Sequence, residues 1–323
     1  GEFIQVTGNI KVMFIQNQHI PGATSVYVVI SYEGEEDITL LFTGDYNLVN
    51  AFSSKQTTIP SFILEKPLSL MVLESTYGSR KSKDVEKGLF KKEIEELVNE
   101  RKTIVIPAFA YGRYQNVLLE LKQLEEEGSL ADVPIFMDGG LGLDLTYLWQ
   151  YLDTVEIKDF IPKRAVAVED RKQVMSLNIP KIIVTTSGMG NFGPAREYIP
   201  RYISEKRAAI YLTGYSSPDS NSRKILEAQE GEIIKVSGVV KEKHAIVKCT
   251  SEFSSHARKE ALISFVKQFK KINFIVLNHG EEESKNSLSQ TCYELDNVKD
   301  VGIMDGMTDF RINCYGLSKT FRI

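Results

Sequence analysis

Glu252-Phe253-Ser254-Ser255-His256 and, downstream, Val276-Leu277-Asn278-His279-Gly280-Glu281 are the two stretches whose reading decides the fold. Between them Ala261, Leu262, Phe265, Val266 and Phe269 recur at helical spacing, which predicts a helix over residues 258–270. The apolar run at 272–277 then predicts a strand. A strand end, a helix and a strand in succession put one histidine in each of two loops where open α/β sheets place ligands. The chain has only four histidines, so two of them fall at one candidate site. A lone loop histidine is ordinarily a satisfied polar side chain; the pairing argues for chemistry.

A chain of 323 residues predicts two domains, at about 100–200 residues each. With 42% hydrophobic and 25% charged residues it has the balance of a soluble globular enzyme. No stretch approaches the roughly 20 apolar residues of a spanning helix, and no basic start leads into an apolar signal core. The expectation is a cytoplasmic protein with no membrane partner. Cys249, Cys292 and Cys314 are odd in number and far apart, so they predict neither a disulfide framework nor a C-x-x-C metal clamp. A metal here would use imidazole and carboxylate. The net charge of -4 argues against a general nucleic-acid coat, yet a bound cation can make a narrow cleft attractive to phosphate.

Upstream, residues 10–14 predict a strand running into Gln16-Asn17-Gln18-His19-Ile20-Pro21-Gly22, a turn. Residues 25–32 and 38–43 predict a hairpin that delivers Asp45, in Thr43-Gly44-Asp45-Tyr46, to a strand end. Residues 68–73 form another short apolar run, ending at Glu74-Ser75-Thr76-Tyr77-Gly78. One Asp at a strand end is ordinarily a turn former or cap. His19, Asp45 and Glu74 at three ends make that reading insufficient. From residue 83 the pattern changes: Val85, Leu89, Ile94 and Leu97 mark an amphipathic helix. Strands at 103–107, 133–137, 181–186 and 208–213 then alternate with helices at 114–127, 141–152 and from about 195. That alternation predicts a mainly parallel, Rossmann-like sheet over residues 85–240, inserted between β-rich material and the unit at His256.

Gly188-Met189-Gly190-Asn191-Phe192-Gly193 fits G-x-G-x-x-G between a predicted strand and helix. The next strand ends in Gly214-Tyr215-Ser216-Ser217, and the first acid, Asp219, lies beyond it, so nothing is placed to hold a ribose. No NAD is expected. Backbone amides of this turn remain suited to a phosphate.

The ordered set resembles the β-CASP branch of metallo-β-lactamase-fold nucleases. The resemblance rests on His19-Ile20-Pro21-Gly22, Thr43-Gly44-Asp45-Tyr46, Glu74-Ser75-Thr76-Tyr77-Gly78, Phe253-Ser254-Ser255-His256 and Asn278-His279-Gly280-Glu281. Pro107-Ala108-Phe109-Ala110-Tyr111-Gly112-Arg113, Thr186-Ser187-Gly188-Met189 and Thr213-Gly214-Tyr215 agree with it. His279 resembles the RNA-processing members, similar to the cleavage and polyadenylation endonuclease subunit. The resemblance implies an α/β fold: a partial αββα metallo-β-lactamase sandwich at 1–84 and 241–323, with a β-CASP domain at 85–240 between. It implies a zinc-dependent ribonuclease with two zinc ions and single-stranded RNA as substrate. His19 and His279 would bind metal, with Asp45 bridging; His256 would be the general acid, oriented by Glu74. Ser254, Thr186, Ser187 and Arg113 would hold substrate phosphates.

The chain departs from the family pattern in two ways. Arg258 stands where the family usually has Asp, and the family's H-x-H-x-D-H cluster lies upstream of the His19 motif, where this sequence has 18 residues and no histidine. The donors present are about two per zinc, against the three protein ligands a catalytic zinc typically takes. The chain is therefore expected to be inactive alone. It is a piece of a longer nuclease, a subunit completed by a second polypeptide or a homodimer partner, or a non-catalytic relative that binds RNA or proteins.

Overall fold

The structure is a computed structural model describing residues 1–81, 83, 86–130, 132–304, 308–313 and 316–321, with side chains up to residue 304. Cys314 and Val85 lie outside the described residues. The chain divides into two compact units, Gly1–Asp84 with Ser255–Ile323, and Val85–Ser254.

The first unit opens with β1 (Phe3–Thr7), β2 (Ile10–Gln16), β3 (Thr24–Ile30) and β4 (Ile38–Phe42), paired antiparallel in sequence order. A one-turn helix, α1 (Ser61–Leu64), leads to β5 (Leu70–Glu74), which pairs parallel with β4. The alternation read from the sequence is visible in burial. Ser25, Tyr27 and Val29 of β3 are buried, while Val26 and Val28 between them are only half-buried.

The second unit runs α2 (Leu89–Asn99), β6 (Thr103–Pro107), α3 (Arg113–Glu126), β7 (Ile135–Asp138), α4 (Gly140–Trp149), β8 (Ala165–Ala167), α5 (Arg171–Ser176) and β9 (Lys181–Thr185). It continues through α6 (Ala195–Tyr202), β10 (Ala208–Leu212), α7 (Asn221–Glu227), the small hairpin β11 (Ile233–Val236) and β12 (Val239–Glu242), and β13 (Ile246–Cys249). Six strands form an all-parallel sheet in the order β13-β10-β6-β9-β7-β8. β6, β9 and β10 are buried at all five positions each, as strands covered on both faces must be. Val105, Ile183 and Ile210 face α6, through Tyr198, Ile199 and Tyr202. On the other face Tyr211 meets Phe90 of α2 edge-on.

The expected boundary at residue 241 moves to 255. Residues 246–249 pair with β10, so this segment completes the inserted sheet rather than starting the next unit. The Ile-Val-Lys-Cys run is too short and too polar to announce that pairing. The amphipathic helix begins at Leu89, after Gly88 in a left-handed turn. Its N-terminus is capped from a distance: Glu252 accepts the Leu89 and Phe90 N–H groups at 2.6 and 3.3 Å, and Phe253 packs edge-on against Phe90. This clasp fastens the start of the second unit to its end.

The chain returns to the first unit with α8 (Lys259–Lys267), β14 (Ile275–Asn278), α9 (Glu282–Tyr293) and β15 (Val301–Ile303), and closes with the hairpin β16 (Thr308–Asn313) and β17 (Gly316–Phe321). β14 slots between β5 and β15, giving a seven-stranded sheet β1-β2-β3-β4-β5-β14-β15. The predicted strand loses its first residues because Ile272 makes only isolated bridges to Leu68 and Val298. Met13, Ile15, Tyr27, Val29, Leu41, Met71, Leu73 and Leu277 face α1, α8 and α9 and form the core. On the opposite face, Phe14, Val26 and Phe42 lie abreast, with Phe14 49% and Phe42 39% exposed. Among the described residues no helix is long and apolar enough to cross a membrane.

Candidate metal centre

Five side chains of the first unit converge, four of them at strand ends. His19 follows β2, Asp45 follows β4, Glu74 ends β5, His279 follows β14, and His256 precedes α8. Glu74 is 3% exposed, and both of its carboxylate oxygens are engaged. Oε1 accepts the Tyr46 N–H at 2.6 Å, and Oε2 stands 2.8 Å from His256 Nδ1. The second contact makes Nδ1 the protonated, donating nitrogen, which leaves Nε2 to face outward. The Tyr77 ring meets the His256 ring edge-on at 6.0 Å.

His19 is held similarly through a carbonyl. Its Nδ1 donates to the Ser255 oxygen at 3.0 Å, and its Nε2 lies 3.7 Å from Asp45 Oδ2. Burial lowers the His19 pKa, and the neighbouring His256 lowers it further; the Ser255 carbonyl, Asp45 and Glu74 oppose this without reversing it. His19 is thus biased to the neutral form a metal requires. The other carboxylate oxygen of Asp45, Oδ1, lies 2.9 Å from His279 Nδ1. Asp45 therefore stands between two imidazoles.

His279 sits at φ 50°, a left-handed backbone that non-glycine residues rarely adopt. Its carbonyl accepts the Ser75 N–H at 2.9 Å, and Thr76 Oγ1 lies 3.1 Å from its Nδ1. Gly280 follows at φ 155°, and a Cβ there would lie 2.6 Å from the Ser75 carbonyl oxygen. The loop after β14 is thus clamped against the loop after β5, which aims His279 at Asp45.

Ligand atoms of Asp45, Glu74, His256 and His279 all lie within 4.8 Å of one another. Glu74 belongs to that set by distance, but its oxygens are already committed and buried. The donors left for a metal are His19 Nε2, Asp45 and His279. Imidazole and carboxylate are the right chemistry for zinc. In kind the residues fit; in number, three donors are too few for two ions.

The other candidates lie in the second unit. Thr186 and Ser187 follow the C-terminal end of β9, and Arg113 opens α3 shortly after the end of β6, so all three share the carboxyl edge of that sheet. Ser187 Oγ is buried with no hydrogen-bond partner among the described residues. Ser254 is the last residue of this unit. The glycine-rich turn has a packing explanation. A Cβ on Gly188 would meet the Phe109 ring at 2.9 Å, one on Gly193 would meet the Thr186 carbonyl at 2.7 Å, and Ser222 Oγ donates to the Gly188 carbonyl.

The partners that orient the site were not legible as such: the Tyr46 N–H, the Ser255 carbonyl and the Thr76 hydroxyl. Thr76 and Tyr77 stand inside the Glu74 motif, and that adjacency was the available signal.

A seven-stranded mixed sheet with metal-type donors at its strand ends, interrupted by a parallel α/β insertion, defines a metallo-β-lactamase fold with a β-CASP insertion. Residues 114–225 match the family model described as the Beta-Casp domain, and residues 245–301 match the Zn-dependent metallo-hydrolase RNA specificity domain. An RNase J-like protein of Methanocaldococcus jannaschii is 29% identical over 302 residues, covering 90% of this chain and 68% of that protein. RNase aCSPSF2 of Saccharolobus solfataricus is 28% identical, covering 90% and 56%, and the transcription termination factor FttA of Methanococcus maripaludis is 25% identical, covering 91% and 49%. The chain belongs to the β-CASP family of metallo-β-lactamase-fold ribonucleases. It spans about half to two thirds of the length of these relatives.

Proposed function

We propose that this chain is the working part of a zinc-dependent ribonuclease that hydrolyses phosphodiester bonds of single-stranded RNA in RNA processing or decay. The observation that carries the reading is His256, held by its Nδ1 on the buried Glu74 carboxylate beside the three unspent donors. His19, Asp45 and His279 hold the metal. A bound zinc would polarise the phosphoryl group and supply hydroxide near neutral pH. The protein's own part is proton management. Glu74 keeps the proton on Nδ1 of His256 and stabilises the imidazolium, and Nε2 delivers a proton to the leaving oxygen. Thr186, Ser187, Arg113 and Ser254 hold backbone phosphates, the arginine as a two-pronged donor.

The chain alone is proposed to be inactive, with the remaining donors for two ions coming from a longer parent polypeptide, a second subunit or a second copy. The shortfall of donors also favours a second reading, a non-catalytic subunit that binds RNA or partner proteins.

Zinc content by elemental mass spectrometry and cleavage of end-labelled single-stranded RNA separate these readings. In the longest form of the protein, about two zinc ions per chain and cleavage are expected, with His256→Ala abolishing cleavage and retaining zinc. A variant that loses zinc, or still cuts at the normal rate, refutes the general-acid role. A full-length protein that binds RNA without zinc or cleavage establishes the scaffold.

A further inference from the structure

At the amino edge of the inserted sheet, opposite the edge that carries Thr186 and Ser187, lies a cavity of about 550 Å³. It opens where β6 and β9 begin, at Thr103 and Lys181, and at Arg207, just ahead of β10. That volume is within the roughly 300–1,000 Å³ of small-molecule sites.

Its walls are cationic in a chain of net negative charge. Arg101, Lys181, Arg201 and Arg207 line it, against two carboxylates, Glu100 and Glu205. Both acids are already paired, Glu100 with Lys102 at 3.7 Å and Glu205 with Arg201. The Arg101 and Arg207 side chains make no hydrogen bond or ion pair among the described residues, and both are exposed. Arg101 is presented by a backbone at φ 56°, one of three left-handed non-glycine residues among those described.

The floor carries an independent signal. Tyr202 lines the cavity and is 1% exposed, yet its hydroxyl has no hydrogen-bond partner among the described residues. A buried hydroxyl without a partner carries the full cost of its desolvation. Below it the Lys181 ammonium is equally buried and donates to the Leu177 and Ile179 carbonyls, which shapes one rim. That rim is apolar: Met175, Leu177 and Ile179 line it, the last 47% exposed.

Two unpaired guanidiniums, one orphan hydroxyl donor and an apolar rim describe a ligand with a compact oxyanion and a flat organic body. We propose that this cavity binds a phosphate monoester of mononucleotide size, the phosphate held by Arg101 and Arg207 and reached by the Tyr202 hydroxyl. Guanidinium forks suit a tetrahedral oxyanion. The cavity is lined by residues of the second unit alone and the metal donors belong to the first, and the proposal does not rest on the ribonuclease reading.

Calorimetric titration of the chain, in chelator, with adenosine 5′-monophosphate and separately with inorganic phosphate tests it. The nucleotide is expected to bind once per chain and more tightly than inorganic phosphate. The double variant Arg101→Gln with Arg207→Gln should weaken binding at least tenfold. Tyr202→Phe, which keeps the ring and its packing, should weaken it about threefold to tenfold. Asp45→Asn should leave it unchanged. No binding at millimolar nucleotide, or binding lost with Asp45→Asn but kept in the double arginine variant, overturns the proposal. Equal affinity for nucleotide and inorganic phosphate overturns the mononucleotide assignment.

Discussion

Glu74→Gln isolates the arrangement on which the proton-transfer reading depends. The side chain keeps its shape and loses its charge in a site that is 3% exposed. The carboxylate now accepts from the Tyr46 N–H at 2.6 Å and from His256 Nδ1 at 2.8 Å. A carboxamide can accept from only one of these. Its NH2 group must then face either the Tyr46 N–H, donor against donor, or His256, which forces the imidazole to switch its proton to Nε2. Hydrogen bonds to charged groups contribute about 1.5–3 kcal/mol, and a buried donor left unpaired costs about 1–3 kcal/mol. A loss of roughly 2–4 kcal/mol follows, and at about 2–4 °C per kcal/mol the Tm should fall on the order of 5–10 °C. Circular dichroism melting reads the stability, and nitrogen-15 NMR of labelled histidines reads which nitrogen of His256 is protonated. In any form of the protein that cleaves RNA, the same change should lower kcat by about 10²–10⁴, the usual worth of a positioned acid or base. An unchanged His256 tautomer together with an unchanged Tm would refute the reasoning.

Two further outcomes follow from the same loops. Because His19 is held below its ordinary pKa of 6.5, the unfolded chain binds its proton more readily, so this residue favours the folded state above that pH and weakens it as pH falls. The denaturation midpoint of the metal-free chain should drop between pH 7.5 and 5.5, and His19→Gln should remove part of the drop; an equal drop in the variant would show that His19 is not its source. Gly280→Ala places a methyl 2.6 Å from the Ser75 carbonyl at a φ that disfavours it. It should cost roughly 1–3 kcal/mol and shift the His279 NMR signals, and wild-type melting with unmoved signals would show that the clamp is absent.

The layers of the fold were readable because burial follows period. The runs Thr-Ile-Val-Ile-Pro, Lys-Ile-Ile-Val-Thr and Ala-Ala-Ile-Tyr-Leu are buried throughout, and only central parallel strands tolerate that. The five side chains at the site were readable from their motifs, since each follows or ends a recognisable strand or precedes a helix. What escaped was whatever depends on backbone groups brought together across the chain. No pattern of residue types marks the Tyr46 N–H as the partner of Glu74 or the Ser255 carbonyl as the partner of His19. The same limit explains the misplaced boundary, where a four-residue strand joins the inserted sheet only because β10 offers it an open edge.

The clasp by Glu252 has a consequence for how the first unit assembles. β14 must find β5 although about 200 residues intervene, 75–274. In an open chain, each doubling of a loop adds about 0.6 kcal/mol to the entropy of closing it. Once the insertion has folded, with Glu252 and Phe253 fastened to Leu89 and Phe90, the chain left between β5 and β14 is about 35 residues, those at 75–88 and 254–274. By the same scaling, about two and a half doublings, the search becomes roughly 1.5 kcal/mol easier. One carboxylate thereby shortens the loop that separates the two neighbouring strands on whose ends Glu74 and the His279 loop stand.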